Sequence, residues 1–414
     1  MATIPWLGPG TAVAGGDDLI FEWYGRYLDA VARGKDAING TVGVLLDDEG
    51  ELALNGAMML ELERLTPPER AAYAPLRGVE AFRTFLLNAV FGASPPSSAS
   101  AFATPGGCGA LFASAKNLTA PGDRVLLRDH HWGPYRGILE QHELGIRTWP
   151  LIGPRSGEGV HVDVDAFGTA LLELAQEQAR VLIWLNDPAH NPTGLSLDGA
   201  DRGRVLATVL NMARAHPNVG FSLVIDAAYA AYSSDSKGWG RTLSELRGQP
   251  ENLLLAVAVS CSKSHTCYGA RAGGLVTLHP NAEARARLEE VLLHTGRGTW
   301  SGAPRGPQMA IARLHGTRSG DEAWAKERTR LNALLEHRRA VFLDIAQSHG
   351  LSLLPCHDGY FAWHPCENPE AVAERAALED VYVVPLRGGI RIGLCAIPAE
   401  RMRTVVRAIQ GGGR

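Results

Sequence analysis

The chain of 414 residues reads as an α/β protein: a large domain around a mostly parallel sheet, and a smaller α+β domain. Three observations predict this. Short near-continuous runs of Val, Leu and Ile recur through the middle of the chain. Segments with apolar residues at helical spacing alternate with those runs. From about residue 315 the alternation gives way to one long helical pattern followed by several short strands.

The runs are RVLLR (124–128), VLIWL (181–185), FSLVI (221–225) and LLLAVAV (253–259). Strands covered on both faces have this unbroken apolar character, whereas half-exposed strands alternate. AFGTALLELAQEQA and GRVLATVLNMARA lie between them as crossover helices, which makes the sheet parallel. SAFATPGGCGALFASA (100–115) is a glycine-rich turn feeding a helix. Beyond 315, DEAWAKERTRLNALLEHRRAVFLDIAQSHG is one long helix with Gly350 as its stop. GYFAWH, VYVVP and IRIGLC follow as short strands, and a last helix starts after Pro398. The GGGR tail is expected to fray.

Composition narrows the function classes. Hydrophobic residues make up 45% and charged residues 20%, ordinary values for a globular chain with a large core. A net charge of -4 without a basic stripe argues against nucleic acid as a partner. The apolar runs fall far below the roughly 20 residues of a membrane span. The start MATIPWLGPG lacks the charged and apolar regions of a secretory leader, so a cytoplasmic protein is expected. Cys108, Cys261, Cys267, Cys356, Cys366 and Cys395 form no CxxC pair and read as free thiols, not a disulfide framework or a zinc site.

Chemistry collects where strands end, as it does on open α/β sheets. VLIWL leads to HNPTG (190–194), FSLVI to Asp226 and Tyr229, and LLLAVAV to Ser260, Ser262 and Lys263, with Arg271 eight residues on. The Gly106-Gly107-Cys108-Gly109 turn opens a helix whose first N–H groups lack partners, a ready anion site. Singly, each has a plainer role: a tight turn, a turn asparagine, a helix-capping aspartate, a solvated lysine. Together, an anion cradle, carboxylate, amide, phenol and lysine suit pyridoxal phosphate. The lysine forms the Schiff base and the carboxylate keeps the pyridine protonated; phenol and amide hold the ring oxygen, and glycines, serines and arginine hold the phosphate.

The pattern resembles the fold type I pyridoxal 5'-phosphate enzymes, and among them the class I aminotransferases of the aspartate and aromatic subfamily. SxSKxxxxYxxRxG is matched by Ser260, Ser262, Lys263, Tyr268, Arg271 and Gly273, DxxY by Asp226 and Tyr229, and HNPTG by 190–194. The resemblance implies a seven-stranded sheet in a large domain of residues 50–314, with 1–49 and 315–414 forming the small domain. It implies that Lys263 is the Schiff-base lysine and proton shuttle. Asp226 would pair with the pyridine nitrogen, Tyr229 and Asn191 with the ring oxygen, and Gly107, Cys108, Ser260, Ser262 and Arg271 with the phosphate. Trp132 in HHWGPY would stack on the ring, and Tyr73 in YAPLRGVEAF would reach the phosphate of a second subunit in a homodimer. VGVLLDDEGE (42–51) resembles a small-domain segment near the substrate entrance.

For substrates, the resemblance puts Arg391 of IRIGLC on the α-carboxylate, where the forked guanidinium gives a bidentate grip that lysine cannot. Arg297 of RGTWSGAP would hold the side-chain carboxylate of a dicarboxylic substrate in the other subunit, and Trp132 and Asn191 would line the same pocket. At the end of a helix, Arg297 also complements the helix dipole. Trp300, Tyr360 and Phe361 add aromatic surface for an apolar substrate. Four departures bear on substrate more than on reaction: Cys108 in place of Thr or Ser, Tyr135 in place of a histidine supporting the aspartate, Thr41 in place of a glycine, and the N-terminal DDLIFEWY in place of a DP-led segment. The expected reaction is ping-pong transamination of aspartate or an aromatic amino acid with 2-oxoglutarate or a related 2-oxo acid. Retention of both arginines favours it over β-elimination, decarboxylation or cyclopropane formation on the same fold. A ligand-sensing domain of a regulator would bring a helix-turn-helix or basic face, and a dehydrogenase a GxGxxG turn; neither pattern is found.

Overall fold

The computed structural model describes residues 19–150, 152 and 162–411. The opening MATIPWLGPG and the last three residues of the tail lie outside them. Seven strands, β1 (Ala99–Pro105), β2 (Arg124–Arg128), β3 (Gly145–Trp149), β4 (Arg180–Asn186), β5 (Gly220–Asp226), β6 (Leu253–Ser260) and β7 (Ala272–Leu278), form one sheet in the order β1-β7-β6-β5-β4-β2-β3. Only β7 runs against the rest, pairing antiparallel with both β1 and β6.

The unbroken apolar runs follow from two-sided burial. Leu182, Trp184, Val224, Ala256 and Ala258 face one side, where they pack with Ala110 and Leu111 of the helix Gly106–Leu118. Their neighbours Ile183, Leu185, Leu223, Ile225 and Val257 face the other, against Phe167 and Leu171 of the helix Val164–Glu177 and Val205 of Gly199–Ala215. Successive residues of a strand point to opposite faces, so both parities must be apolar.

Register then places the strand ends flush. Asn186 lies beside Asp226, Asp226 beside Ala258, Ser260 beside Gly273, and Pro105 beside Ala272. The carboxyl ends of β1, β4, β5 and β6 thus deliver their chemistry to one edge of the sheet.

The long helix spans Arg318–Ser348, beginning three residues ahead of the DEAW run because Thr317 caps it, accepting from Gly320 N at 3.1 Å. It ends at His349, and Gly350 follows at φ +70°, a conformation suited to glycine. Its Leu331, Leu335 and Phe342 share a core with Trp23, Ile38 and Leu45 before the sheet and with Tyr360, Val381 and Ile390 after it. Strands β8 (Phe361–Pro365), β9 (Val384–Leu386) and β10 (Gly389–Gly393) form an antiparallel sheet in the order β9-β10-β8. VYVVP, expected as one strand, is divided. Val381–Tyr382 pairs parallel with Ile38–Asn39, whereas Val384–Leu386 folds back on β10, so its two halves satisfy their backbone groups on different partners. Among the described residues, no helix is long and apolar enough to cross a membrane. All six cysteines are free thiols.

Gly273 is where the sheet and the glycine-rich turn approach most closely: a Cβ there would stand 2.5 Å from Val259 O and 2.6 Å from Gly106 C. Both obstacles are backbone and cannot swing aside. Gly273→Ala should therefore lower stability by about 1–3 kcal/mol, the usual cost of overpacking. An unchanged urea-unfolding midpoint would contradict this crowding.

Candidate active site

Four strand ends and one small-sheet strand build the site. At the end of β5, Asp226 is buried and accepts two hydrogen bonds, from Tyr135 Oη at 2.6 Å and from Ala228 N at 3.2 Å. Burial raises its pKa, while the Tyr135 hydrogen bond and the backbone donor pull it down. Three residues on, Tyr229 is buried, and its phenol oxygen accepts from Asn191 Nδ2 at 3.4 Å. Asn191 is held by its own N–H on Asn186 Oδ1 at 2.7 Å, and Asn186 also donates to Asp226 O at 2.9 Å. Asn186 therefore ties the asparagine turn to the aspartate strand.

The lysine turn leaves β6 at Ser260, whose Oγ accepts from Ser262 N at 3.4 Å and caps the short helix Cys261–Ser264. That turn aims Lys263 between two rings, with Nζ 5.7 Å from the centre of Tyr229 and 5.3 Å from that of Tyr268. Burial lowers the lysine pKa, and the nearby Asp226 opposes the shift. Tyr268 Oη accepts from Leu45 N at 2.9 Å and meets Tyr360 Oη at 3.1 Å, while Tyr232 Oη donates to Lys263 O at 3.3 Å. Leu45 brings the VGVLLDDEGE segment onto the site.

Arg271 takes a left-handed conformation at φ +53° and donates from Nη1 to Ser262 Oγ and to Tyr268 O, both at 3.0 Å. A Cβ on Gly106, itself at φ +70°, would meet Arg271 Nη2 at 2.7 Å; one on Gly107 would meet Ser260 Cβ at 3.2 Å. No side chain caps the helix Gly106–Leu118. Its first amides, the guanidinium and two serine hydroxyls therefore surround a space kept clear by glycine, a cradle for an anion. Cys108 lies in this first turn, its thiol pushed up by burial and held back by Arg271.

Arg391 in β10 is buried beneath the same edge. Its Nη1 donates to Asn191 Oδ1 at 3.4 Å, its Nη2 to the carbonyl of Thr41, and its guanidinium lies 4.5 Å over Phe361. Thr41 spends its hydroxyl on Asn39 Oδ1 at 2.8 Å. Trp132 is half-buried with its ring edge-on to Tyr135 at 5.5 Å.

The structure thus gathers Lys263, Asp226, Tyr229, Asn191, Ser260, Ser262, Arg271, Gly107, Cys108, Trp132 and Arg391 around one sheet edge. Tyr73 and Arg297 stand apart. Tyr73 is 91% exposed, and Arg297, exposed in the last turn of the helix Ala282–Thr299, donates to Ser301 Oγ at 2.8 Å. Trp300 packs edge-on to Phe112, against the core on the Gly106–Leu118 side of the sheet. Sequence reasoning missed Asn186 and Tyr232 as supports of the site. The asparagine closing VLIWLN was a signal for the first; nothing local distinguishes the second.

Residues 35–409 match the family model described as aminotransferase class I and II. The aromatic-amino-acid aminotransferase and the aspartate aminotransferase of Pseudomonas aeruginosa are 26% and 25% identical over 387 and 390 residues; each alignment covers 90% of this chain and 92% of the relative. A solved aminotransferase from Anaerococcus prevotii superposes with a TM-score of 0.93 at 26% identity, covering 99% of this chain and 100% of that one. The residues present also fit the cofactor of such enzymes: the glycine-cleared cradle suits a phosphate, the buried carboxylate a pyridine nitrogen, and Lys263 an aldehyde carbon. The chain belongs to the class I and II aminotransferases, and it is an enzyme that works through pyridoxal 5'-phosphate.

Proposed function

We propose that the protein transfers the amino group of aspartate or an aromatic L-amino acid to 2-oxoglutarate or a related 2-oxo acid, in a ping-pong cycle in the cytoplasm. The observation that carries the reading is the cluster that joins a desolvated Lys263 amine near the buried Asp226 carboxylate to the buried Arg391 guanidinium by way of Tyr229 and Asn191. A panel of amino acids with 2-oxoglutarate as acceptor tests it; glutamate should form only with aspartate, phenylalanine, tyrosine or tryptophan.

In this reading Gly107, Cys108, Ser260, Ser262 and Arg271 hold the phosphate, Tyr229 and Asn191 the ring oxygen, Asp226 the ring nitrogen, and Trp132 the ring face. Bound there, the cofactor supplies a carbonyl carbon for the amino group and a ring that takes up the Cα electrons. Arg391 orients the substrate by its α-carboxylate, and Asn191 steadies the arginine at Nη1. Lys263 Nζ would accept the proton released at the substrate Cα and hold it for return, as general base and then acid. Its lowered pKa leaves more of the amine unprotonated near neutral pH, as a base needs. Asp226, whose pKa Tyr135 and Ala228 N hold down against the rise that burial causes, would hold a proton on the ring nitrogen.

The reading also divides the chain into a large domain of residues 50–314 and a small one of 1–49 with 315–414. The core that Trp23, Ala30, Ile38 and Leu45 share with Leu331 to Ile409 supports that division. The exposure of Tyr73 and Arg297 supports a homodimer in which each completes the site of the other copy: Tyr73 at the phosphate, Arg297 at the distal substrate carboxylate.

Lys263→Ala should lower kcat by at least about 10²-fold, the scale of a positioned acid–base group. Borohydride should fix cofactor mass to the peptide containing Lys263 in the parent and to no peptide in the variant; fixation in both would sink the assignment.

Tyr135→Phe removes a hydrogen bond that holds the Asp226 pKa down, so that pKa rises. A carboxylate needed as its anion is lost as pH falls through its folded pKa. The acidic limb of kcat/KM should therefore move to higher pH in the variant, and an unmoved limb would show that Tyr135 does not tune Asp226.

Arg297→Ala should lower kcat/KM for aspartate and glutamate at least tenfold, about 1.4 kcal/mol, while sparing phenylalanine. Mixing Arg297→Ala with Lys263→Ala copies should restore aspartate turnover, because a hybrid dimer contains one intact site. Equal losses for both substrate classes, or no restoration, would refute the shared-site reading.

A further inference from the structure

On the other face of the sheet from the Gly106–Leu118 helix lies a cavity of about 660 Å³. Val257 and Val259 of β6, with Ala227 and Ala231, form its floor; Phe85, Trp239 and Trp324 stand in its walls. None of Lys263, Asp226, Tyr229, Asn191 or Arg391 lines it.

One wall is polar but satisfied within itself. Asp321 Oδ1 accepts from His315 Nδ1 at 2.6 Å, the two Nε2 atoms of His315 and His265 lie 2.9 Å apart, and His265 Nδ1 lies 2.8 Å from Ser264 Oγ. Burial holds both imidazoles below their usual pKa, which favours the neutral rings. Only one proton arrangement then satisfies the chain: Ser264 donates to His265, His265 to His315, and His315 to the carboxylate. With these groups spent on one another, the wall presents little to an incoming polar group. Two cations of the lining differ. Lys237 is exposed and Arg328 half-buried, its guanidinium 4.7 Å over Trp324. Neither side chain forms a hydrogen bond or an ion pair among the described residues.

We propose that this cavity is a second ligand site, which takes an aromatic monocarboxylate with its ring on the valine–alanine floor and its carboxylate against Lys237 and Arg328. The volume falls within the ~300–1,000 Å³ of small-molecule pockets, and an apolar lining with a few convergent charges is their usual makeup. The charge balance selects an anion: the lining holds two cations, neither in an ion pair among the described residues, and one carboxylate, Asp321, already bound to His315. The site shares no side chain with the substrate arginine, so its occupant need not displace the amino acid. It does abut Ser260 and Ser264 around Lys263, and Ala227, Ala230 and Ala231 around Tyr229. Occupancy therefore bears on both segments that carry the reacting groups.

The experiment is calorimetric titration of the holoenzyme with 2-naphthoate, and with 2-naphthalenemethanol as the uncharged control. The acid should bind more tightly than the alcohol. Binding should persist in Arg391→Ala, weaken at least about tenfold in the double variant Lys237→Ala/Arg328→Ala, and fail in Ala89→Trp, which fills the cavity from the helix Glu80–Phe91. Transaminase activity of the Lys237 and Arg328 variants, measured separately, should match the parent, so failure here is distinguishable from failure of the proposed reaction. Binding lost in Arg391→Ala but kept in the double variant would place the naphthoate at the substrate site and overturn the proposal. Absence of binding would overturn it equally, leaving the cavity to a protein segment.

Discussion

Keeping a carboxylate charged inside a dry sheet edge is the constraint on which the rest of this site depends. An isolated buried carboxylate would take up a proton, because desolvation costs far more than neutralisation. For Asp226 a phenol and a backbone N–H, and electrostatically Lys263, counter the rise in pKa that burial causes. Each support fixes a neighbour. Tyr135 must pack beneath Trp184, the Ala228 turn must lead into Tyr229, and Lys263 must project from the next strand.

The same logic explains the ring of tyrosines. An amine surrounded by phenol rings is deprived of water yet keeps a favourable environment for whatever charge it carries, since ring faces attract cations. Tyr229 and Tyr268 hold Lys263 from two sides, and Tyr360 is buried with its hydroxyl against Tyr268. The lysine is thereby desolvated without being locked into an ion pair. That leaves it mobile in protonation, as a group that both accepts and donates a proton must be.

Arg391 shows how the two sheets cooperate. It belongs to a small antiparallel sheet, yet its hydrogen bond to Asn191 joins residues 200 positions apart. A buried guanidinium is costly unless its donors are engaged. Here the Thr41 carbonyl, Asn191 and the Phe361 ring share that task, and each lies on a different segment. The substrate mouth is therefore set by contacts between chain regions, not within one.

What the sequence determined by itself was the chemistry at the strand ends. Continuous apolar runs can be satisfied only by two-sided burial, so RVLLR, VLIWL, FSLVI and LLLAVAV were legible, and with them Asp226, Ser260 and Lys263. Less of the sheet was visible where no continuous run of large apolar residues marks the strand. GIRTW forms an edge strand that is mostly half-exposed, and SAFATP and AGGLVTL owe their places to small residues at close backbone approaches. Tertiary structure alone decided that Tyr135 meets Asp226, that Asn186 braces Asn191, and that Arg391 reaches the same edge. It also decided that Tyr73 and Arg297 stay exposed, outside this chain's own cluster, as residues expected to reach a second subunit's site would. Local pattern encodes which side chains are available, whereas their pairing depends on register and packing across hundreds of residues, which no short window of sequence contains.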